Sequence, residues 1–242
     1  MIEEQVQIAT TDGRMPTSIL HPKSDGPFPV VLVLMDGGGI RPALQDVARR
    51  LARLGYYAML PDLYYRAELA EPLQIDSPGS WDCMTALIQS LTDERVIGDA
   101  EALLEHASTD SAARSAPAGL LGFCMGGRLS VILCQGLGTR IRAAAGIHPG
   151  NLASDADESP HRHLDRVAAE LYLAIADKDE WCSPEQVSLM EKALVEQGLT
   201  HQIEWHPGAL HGFGVGDGKN YHEQASELVW DRVETLFARR LR

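Results

Sequence analysis

Residues 119–127 read G-L-L-G-F-C-M-G-G and place a cysteine where a nucleophile could act. Residues 122–126 fit the pattern G-x-nucleophile-x-G, in which a sharp turn between a strand and a helix presents a reactive side chain. In that pattern Cys124 would lie at the N-terminus of the helix, where the dipole lowers a thiol pKa and the backbone N–H of Met125 could stabilise an oxyanion. The alternative is a buried structural cysteine packed beside glycines.

An acid and a histidine that could serve this cysteine follow it along the chain, in the order nucleophile, acid, histidine. The stretch L-Y-L-A-I-A-D-K-D-E-W offers Asp177 and Asp179, and its spacing does not decide between them. The stretch W-H-P-G-A-L-H-G-F-G offers His206 and His211. We favour His211, because the Pro-Gly step turns the chain and leaves this histidine on a glycine-rich loop.

Three more histidines could contribute to a site. His148 follows an apolar run that predicts a strand, so its side chain could line a pocket at the same edge of the sheet. His161 and His163 form an H-x-H step that could bind a metal together with Cys182, and a metal-dependent hydrolase built on the three histidines is an alternative hypothesis. No further ligand follows at a supporting spacing, so we expect no metal.

The elements that must position these residues alternate between strand and helix, which predicts an α/β fold with a mostly parallel sheet covered by helices on both faces. We see no linker and expect one domain over residues 1–242. Ligands of such sheets bind at the carboxyl ends of the strands. The chain pattern predicts an N-terminal hairpin at 6–10 and 16–20, strands at 30–35, 56–62, 118–123, 142–147, 171–176 and 201–206, helices at 43–54, 93–107, 125–135, 184–197 and 225–237, and an irregular loop at 63–81.

Composition restricts the partners and the setting. The chain has 242 residues, 45% of them hydrophobic, and a formal net charge of −13, which argues against nucleic acid or an anionic membrane as the partner. Four cysteines do not suggest a disulfide framework. The acidic N-terminal stretch has no apolar core of a signal peptide, and no apolar run is long enough to span a membrane. We therefore expect a cytoplasmic protein, as a monomer or small homo-oligomer.

The combined motifs resemble the dienelactone hydrolases, or carboxymethylenebutenolidases, which have an α/β-hydrolase fold and a Cys-Asp-His triad. The matching stretches are L-M-D-G-G-G-I, L-A-R-L-G-Y-Y-A-M-L-P-D-L-Y-Y-R, G-F-C-M-G-G, A-D-K-D-E-W and P-G-A-L-H-G-F, which span most of residues 30–215 in the order of the family. The resemblance implies hydrolysis of a lactone or activated carboxylic ester through a thioester on Cys124, with no cofactor. A non-catalytic binding module and an esterase with another substrate are the alternatives.

The resemblance also assigns roles to individual positions. It places the acid at Asp179, which a short loop and a helix-starting proline follow, and the histidine at His211 in H-G-F. It makes Asp36 a catalytic residue that contacts the resting thiol and helps to deprotonate it when substrate binds. The best-known members have glutamate there, so the shorter aspartate implies a longer or water-mediated contact with Cys124. The alternative is that Asp36 only ties down its own glycine-rich loop. The N–H of Gly37 is the implied second oxyanion donor beside that of Met125.

The expected substrate pocket includes side chains around these positions. Well-known members of the family hold a substrate carboxylate with arginines, one of them a few residues beyond the histidine, where this chain has Val215. Arg41, Arg66 or Arg128 could take that role, and the sequence does not choose among them. The expected pocket residues are Tyr64, Trp81, Phe123, His148, His161 and Phe213.

Overall fold

A computed structural model describes residues 1–69, 73 and 79–242. Its strands form one eight-stranded sheet with the order β1-β2-β4-β3-β5-β6-β7-β8, where the strands are β1 (Ile2–Thr10), β2 (Gly13–His21), β3 (Phe28–Leu34), β4 (Tyr57–Pro61), β5 (Ala113–Phe123), β6 (Ile141–Ile147), β7 (Glu170–Lys178) and β8 (His201–Leu210). The first two strands pair antiparallel, as do β2 and β4, and the other neighbours run parallel. The predicted mostly parallel sheet is confirmed.

Helices cover both faces of this sheet. Along β5, a Cβ on Gly119 would meet Leu241 at 2.6 Å, whereas one on Gly122 would meet the carbonyl oxygen of Gly126 at 2.0 Å. Positions three apart on a strand point to opposite faces, so the helices that carry Leu241 and Gly126 lie on opposite sides. The helices are α1 (Pro42–Arg53), α2 (Ser80–Ser90), α3 (Asp93–Ser108), α4 (Met125–Leu137), α5 (Pro184–Glu196) and α6 (Glu223–Leu241). Within the described ranges, no helix is long and apolar enough to cross a bilayer.

The central strand β3 explains why the site begins where it does. Residues 30–35 are each at most 1% exposed, as expected for a parallel strand with helices on both faces. Asp36 is the first polar side chain after this run and lies at the carboxyl end of the strand. The sheet therefore places a carboxylate and a glycine-rich loop at the edge where the turn that carries Cys124 follows β5.

Helix α2 was not predicted from the sequence, and only its first two residues fall within the predicted irregular loop at 63–81. A single 3₁₀ turn at Tyr65–Ala67 is followed by the described start of α2 at Ser80, directly after Gly79 with φ 79°. The apolar positions 84, 87, 88 and 91 have helical spacing, but polar residues interrupt them, so the pattern is weak. Residues 70–72 and 74–78 of the predicted loop lie outside the described residues.

Strand β8 is longer than the predicted 201–206 and contains an irregularity. Ala176 pairs with His206, but Lys178 pairs with Leu210, so extra residues bulge out of the last strand. His206 is buried in the strand, and His211 follows directly after the strand ends. The bulge therefore separates the two histidines that the sequence offers.

Candidate active site

Cys124 occupies a strained turn between β5 and α4. Its φ of 52° and ψ of −114° are outside the regions that side chains other than glycine ordinarily adopt. A Cβ on Gly126 would lie 2.3 Å from the carbonyl oxygen of Leu34, and one on Gly122 would lie 2.0 Å from that of Gly126. No side chain fits at either position, so the two glycines allow the close approach of strand and helix that the turn requires.

His211 and Asp179 form a buried hydrogen-bonded pair. The Nδ1 atom of His211 lies 2.9 Å from each carboxylate oxygen of Asp179. The Asp179 side chain is 1% exposed and also accepts a hydrogen bond of 2.8 Å from the backbone N–H of Trp181. Asp177, the other acid that the sequence offers, instead accepts from the backbone N–H of Gly208 at 3.0 Å. Of the two acids, Asp179 is therefore the one that orients His211.

The free nitrogen of His211 lies on the side of the cavity where the thiol is. His211 Nε2 has no hydrogen-bond partner within the described part of the chain. A Cβ on Gly150 would lie 3.8 Å from His211 Cε1 and 3.9 Å from Cys124 Sγ, so the imidazole and the sulfur border the same space. A thiol next to an imidazole that is bound in turn to a carboxylate can perform nucleophilic catalysis.

The surroundings of His211 favour its protonated form. Burial lowers the pKa of this imidazole, but the hydrogen bond to Asp179 and the nearby Cys124 sulfur outweigh burial and raise the pKa to about 10. A protonated imidazole next to the sulfur stabilises a thiolate. The surroundings therefore place a protonated imidazole beside the sulfur of Cys124.

Two backbone N–H groups are free to bind an oxyanion. Within the described residues, the N–H groups of Gly37 and Met125 donate to no other backbone or side-chain group, and both residues line the cavity that holds Cys124. The hydroxyl of Tyr64 donates to the carbonyl oxygen of Gly37 at 3.1 Å and so holds the next peptide of the same loop. These features are those of an oxyanion hole with two donors.

The carboxylate of Asp36 is committed to an arginine. Arg41 Nη1 and Nη2 each donate to one Asp36 oxygen at 2.6 Å, and the backbone N–H of Gly38 donates to Oδ1 at 2.9 Å. None of the hydrogen bonds of the described residues joins Asp36 to Cys124. The thiol contact that the resemblance implies for Asp36 is thus replaced by an ion pair in this structure.

A cavity of about 450 Å³ opens above Cys124 and His211. Helix α2 supplies an apolar wall with Met84, Ile88 and Leu91, and Trp81 lies at the start of that wall. The ring of Trp81 stacks on that of Trp181, with centroids 5.8 Å apart and planes 8° from parallel. The cavity thus has an apolar interior and an aromatic pair at its exposed rim.

The structure brings two of the six predicted pocket residues, Trp81 and His148, to the cavity. His148 is fully buried between Phe123 and Phe213, with ring centroids 6.0 and 5.4 Å away, and those two phenylalanines lie outside the lining. Burial and then the neighbouring His211 hold the pKa of His148 well below its usual value.

The two remaining predicted pocket residues also lie elsewhere. Tyr64 is behind the loop that carries Gly37, as described above, and not in the lining of the cavity. His161 makes a 2.8 Å hydrogen bond with the hydroxyl of Ser159 in a separate loop. No group of three or more His, Cys, Asp or Glu side chains in the described ranges is arranged to hold a metal ion.

The three candidate arginines have different surroundings. Arg41 pairs with Asp36 and with Asp217, and Arg66 pairs with Asp99 at 2.8 Å. Arg128 is half-buried, lines the cavity and has no ion pair among the described residues. The positive end of the α4 dipole does not stabilise the Arg128 guanidinium, which lies near the N-terminus of that helix. We therefore expect this guanidinium to interact with an anion in the cavity.

Sequence reasoning missed several residues that shape this site. Asn220 donates from Nδ2 to the carbonyl oxygen of His211 at 2.8 Å and holds the loop that carries the histidine. Asn151 lines the cavity with a positive φ of 51°, and its N–H donates to the carbonyl oxygen of Trp181 at 2.8 Å. Only Trp181 carried a sequence signal, as the last letter of A-D-K-D-E-W.

Comparisons with known proteins show the family of the chain. The profile of a family described as "Dienelactone hydrolase family" matches residues 15–241. A Synechocystis protein named "Putative carboxymethylenebutenolidase" is 27% identical, covering 93% of this chain and 91% of its own length. A Bradyrhizobium protein named "Probable 2-oxo-3-(5-oxofuran-2-ylidene)propanoate lactonase" is 26% identical, covering 94% of this chain and 90% of its own length. The crystal structure of a "Putative Dienelactone Hydrolase" from Klebsiella pneumoniae has a TM-score of 0.86 at 26% identity and covers 98% of both chains.

Proposed function

The chain belongs to the dienelactone hydrolase family, a family of hydrolases, and on this premise we propose that it cleaves a lactone or activated carboxylic ester by covalent catalysis at Cys124. The single observation that carries the proposal is the contact of His211 Nδ1 with both oxygens of Asp179. It leaves Nε2 without a partner among the described residues, on a ring that borders the same space as Cys124 Sγ. Cys124, His211 and Asp179 then act as nucleophile, base and orienting acid.

The first half of the reaction forms a thioester. His211 Nε2 holds the proton that Cys124 has given up, and the thiolate attacks the carbonyl carbon, so that a C–S bond forms while the carbonyl electrons move to the oxygen. The N–H groups of Gly37 and Met125 stabilise this oxyanion, and one such donor typically contributes about 3 kcal/mol. The C–O bond then breaks, and His211 returns its proton to the leaving enolate or alkoxide.

The second half releases the acid. His211 takes a proton from a water molecule, the hydroxide attacks the thioester carbon, and the C–S bond breaks to give the carboxylic acid and the thiolate. Asp179 keeps the imidazole oriented in both halves through the bond to Nδ1. A thiolate expels an enolate readily, so an enol-lactone is a better substrate for this site than an amide.

The cavity also supports an anionic group on the substrate. Arg128, which has no ion pair among the described residues, places a positive charge in a cavity that is otherwise largely apolar, within reach of a small substrate in about 450 Å³. The Bradyrhizobium relative is named for a lactone that also bears a propanoate. We therefore propose a lactone or ester with a carboxylate as the preferred substrate class, bound by Arg128.

Turnover of cis- and trans-dienelactone and of an activated aryl ester by wild type and Cys124→Ala tests the proposal. We expect hydrolysis by the wild type and a loss of at least about a thousandfold in the variant, because the nucleophile is removed. Equal rates for the two proteins contradict the role of Cys124. Alkylation of Cys124 without hydrolysis of any ester or lactone in the panel supports instead a non-catalytic binding module.

A further inference from the structure

The Asp36 carboxylate has both oxygens bound by donors other than the thiol. The fork of Arg41 holds Oδ1 and Oδ2 at 2.6 Å each, and the Gly38 N–H takes a further position on Oδ1. The Asp36 side chain is 13% exposed, and Asp36 lines the same cavity as Cys124. A bidentate, partly buried arginine pair of this kind is strong and directional.

The same guanidinium joins two loops of the site. Arg41 Nε donates to both oxygens of Asp217, at 3.0 and 2.9 Å, and Asp217 lies on the loop that follows His211. The backbone of Arg41 is fixed as the residue before α1, where its carbonyl oxygen accepts from Leu44. Arg41 therefore ties the Gly37 loop and the His211 loop to one rigid helix.

The charge on Arg41 matters because of what surrounds the sulfur. On the described elements, the charged or titratable groups around Cys124 are His211 with its partner Asp179, His148, Arg128 on its own helix, Tyr64, and Asp36. Asp36 is the carboxylate of this set that does not pair with the histidine. A carboxylate released from its arginine would disfavour a thiolate as a like charge.

We propose that Arg41 is a positioning residue that withholds Asp36 from the Cys124 thiol, so that His211 alone takes the thiol proton. Arg41 neutralises the charge of Asp36 and binds both of its oxygens. The thiolate–imidazolium pair is then ready before substrate binds. This inference rests on the proposed function only in taking Cys124 as the nucleophile.

The pH dependence of Cys124 alkylation by iodoacetamide, followed by peptide mass spectrometry, tests this role without any substrate. The measurement uses a Cys83→Ser background because Cys83 is exposed, whereas Cys134 and Cys182 are buried. In Arg41→Met we expect the midpoint to move up by about one pH unit, so that alkylation near neutral pH slows about tenfold. The double variant Arg41→Met/Asp36→Asn should return to within about twofold of the parent, because the freed charge is gone.

Arg49→Met is the matched control. Arg49 also pairs with two carboxylates, Glu3 at 2.7 Å and Asp46 at 2.8 Å, but on the surface away from the cavity, so its loss should leave the midpoint in place. An unchanged midpoint in folded Arg41→Met, or faster alkylation, overturns the proposal, since faster alkylation shows that Asp36 assists the thiol.

Asp36→Asn alone decides the question if Arg41→Met does not fold. The amide can still accept from Gly38, so the loop has a partner for that N–H. The proposal predicts that the alkylation midpoint stays or falls in this variant. A rise of about one pH unit means that Asp36 stabilises the reactive thiol, which overturns the proposal. Failure of the proposed function appears separately, as absent turnover with an intact alkylation profile.

Discussion

His211 is held in its protonated form by two neighbours on opposite sides of its ring. Burial alone lowers the pKa of an imidazole, yet the Asp179 carboxylate and the Cys124 sulfur raise that of His211 to about 10. The proton therefore stays on the ring across neutral pH and leaves only as the pH approaches 10. Because one of the two contributions comes from sulfur, the protonation of this histidine reports on the thiol.

We expect the His211 imidazole to remain protonated from pH 6 to pH 8, followed as its Hε1 and ¹⁵N resonances in NMR. In Cys124→Ala the titration should move to lower pH, because the nearby sulfur contributes to the raised pKa of His211 in the wild type. His206, whose pKa burial lowers, is an internal control that should be neutral in this range. A wild-type His211 that titrates near 6.5, its ordinary value, contradicts the paired state.

Arg128 should discriminate substrates by charge. In Arg128→Gln we expect KM for a carboxylate-bearing ester to rise about tenfold or more, with little change for a neutral ester that has the same leaving group. Arg142→Gln is the control, because Arg142 is an exposed arginine on β6 that does not line the cavity. Equal effects of Arg128→Gln on both esters show that the arginine serves the fold and not the anion.

The strained turn between β5 and α4, which carries Cys124, is the element whose geometry the chemistry depends on most. Gly126→Ala places a Cβ 2.3 Å from the Leu34 carbonyl oxygen, so the backbone must move. We therefore expect the free energy of unfolding to fall by about 3 kcal/mol and the activity to be lost as well. Gly98→Ala in α3 meets nothing within 4 Å and should stabilise the protein by about 1 kcal/mol. Urea unfolding of both variants checks the contrast, and a Gly126→Ala protein as stable and active as wild type is incompatible with it.

The elements that the sequence predicted well are those with a strong period. Apolar runs predicted the buried strands β3, β5, β6 and β7, and the structure has these strands. The glycines around Cys124 predicted a sharp turn between strand and helix. Helix α2 was missed because polar residues interrupt its apolar positions. Met84 and Ile88 of that helix lie next to Gly37 and line the cavity. Without α2, the prediction therefore lacked one wall of the cavity.

At the scale of the whole molecule, the parallel sheet gathers residues from distant parts of the chain. Asp36, Cys124, His148, Asp179 and His211 each follow a different strand, and the carboxyl ends of those strands meet at one edge. Strand order along the chain was therefore enough to propose which residues lie together.

Side-chain pairing across the fold was not predictable in the same way. The bond between Arg41 and Asp217 joins positions 176 apart in sequence, and no periodicity or motif indicates it. The same holds for Arg128, which stands out only when Arg41 and Arg66 are seen to have ion pairs that it lacks among the residues described. The sequence could therefore name the three arginines but not choose among them.

The location of the covalent intermediate tests the central claim most directly. Wild-type protein is mixed in excess with a slowly hydrolysed activated ester, quenched in acid within a single turnover, and mapped by peptide mass spectrometry. We predict one acyl group on Cys124, which neutral hydroxylamine removes because it is a thioester. An acyl group on any other residue, or complete hydrolysis with no adduct at any quench time, contradicts nucleophilic catalysis by Cys124.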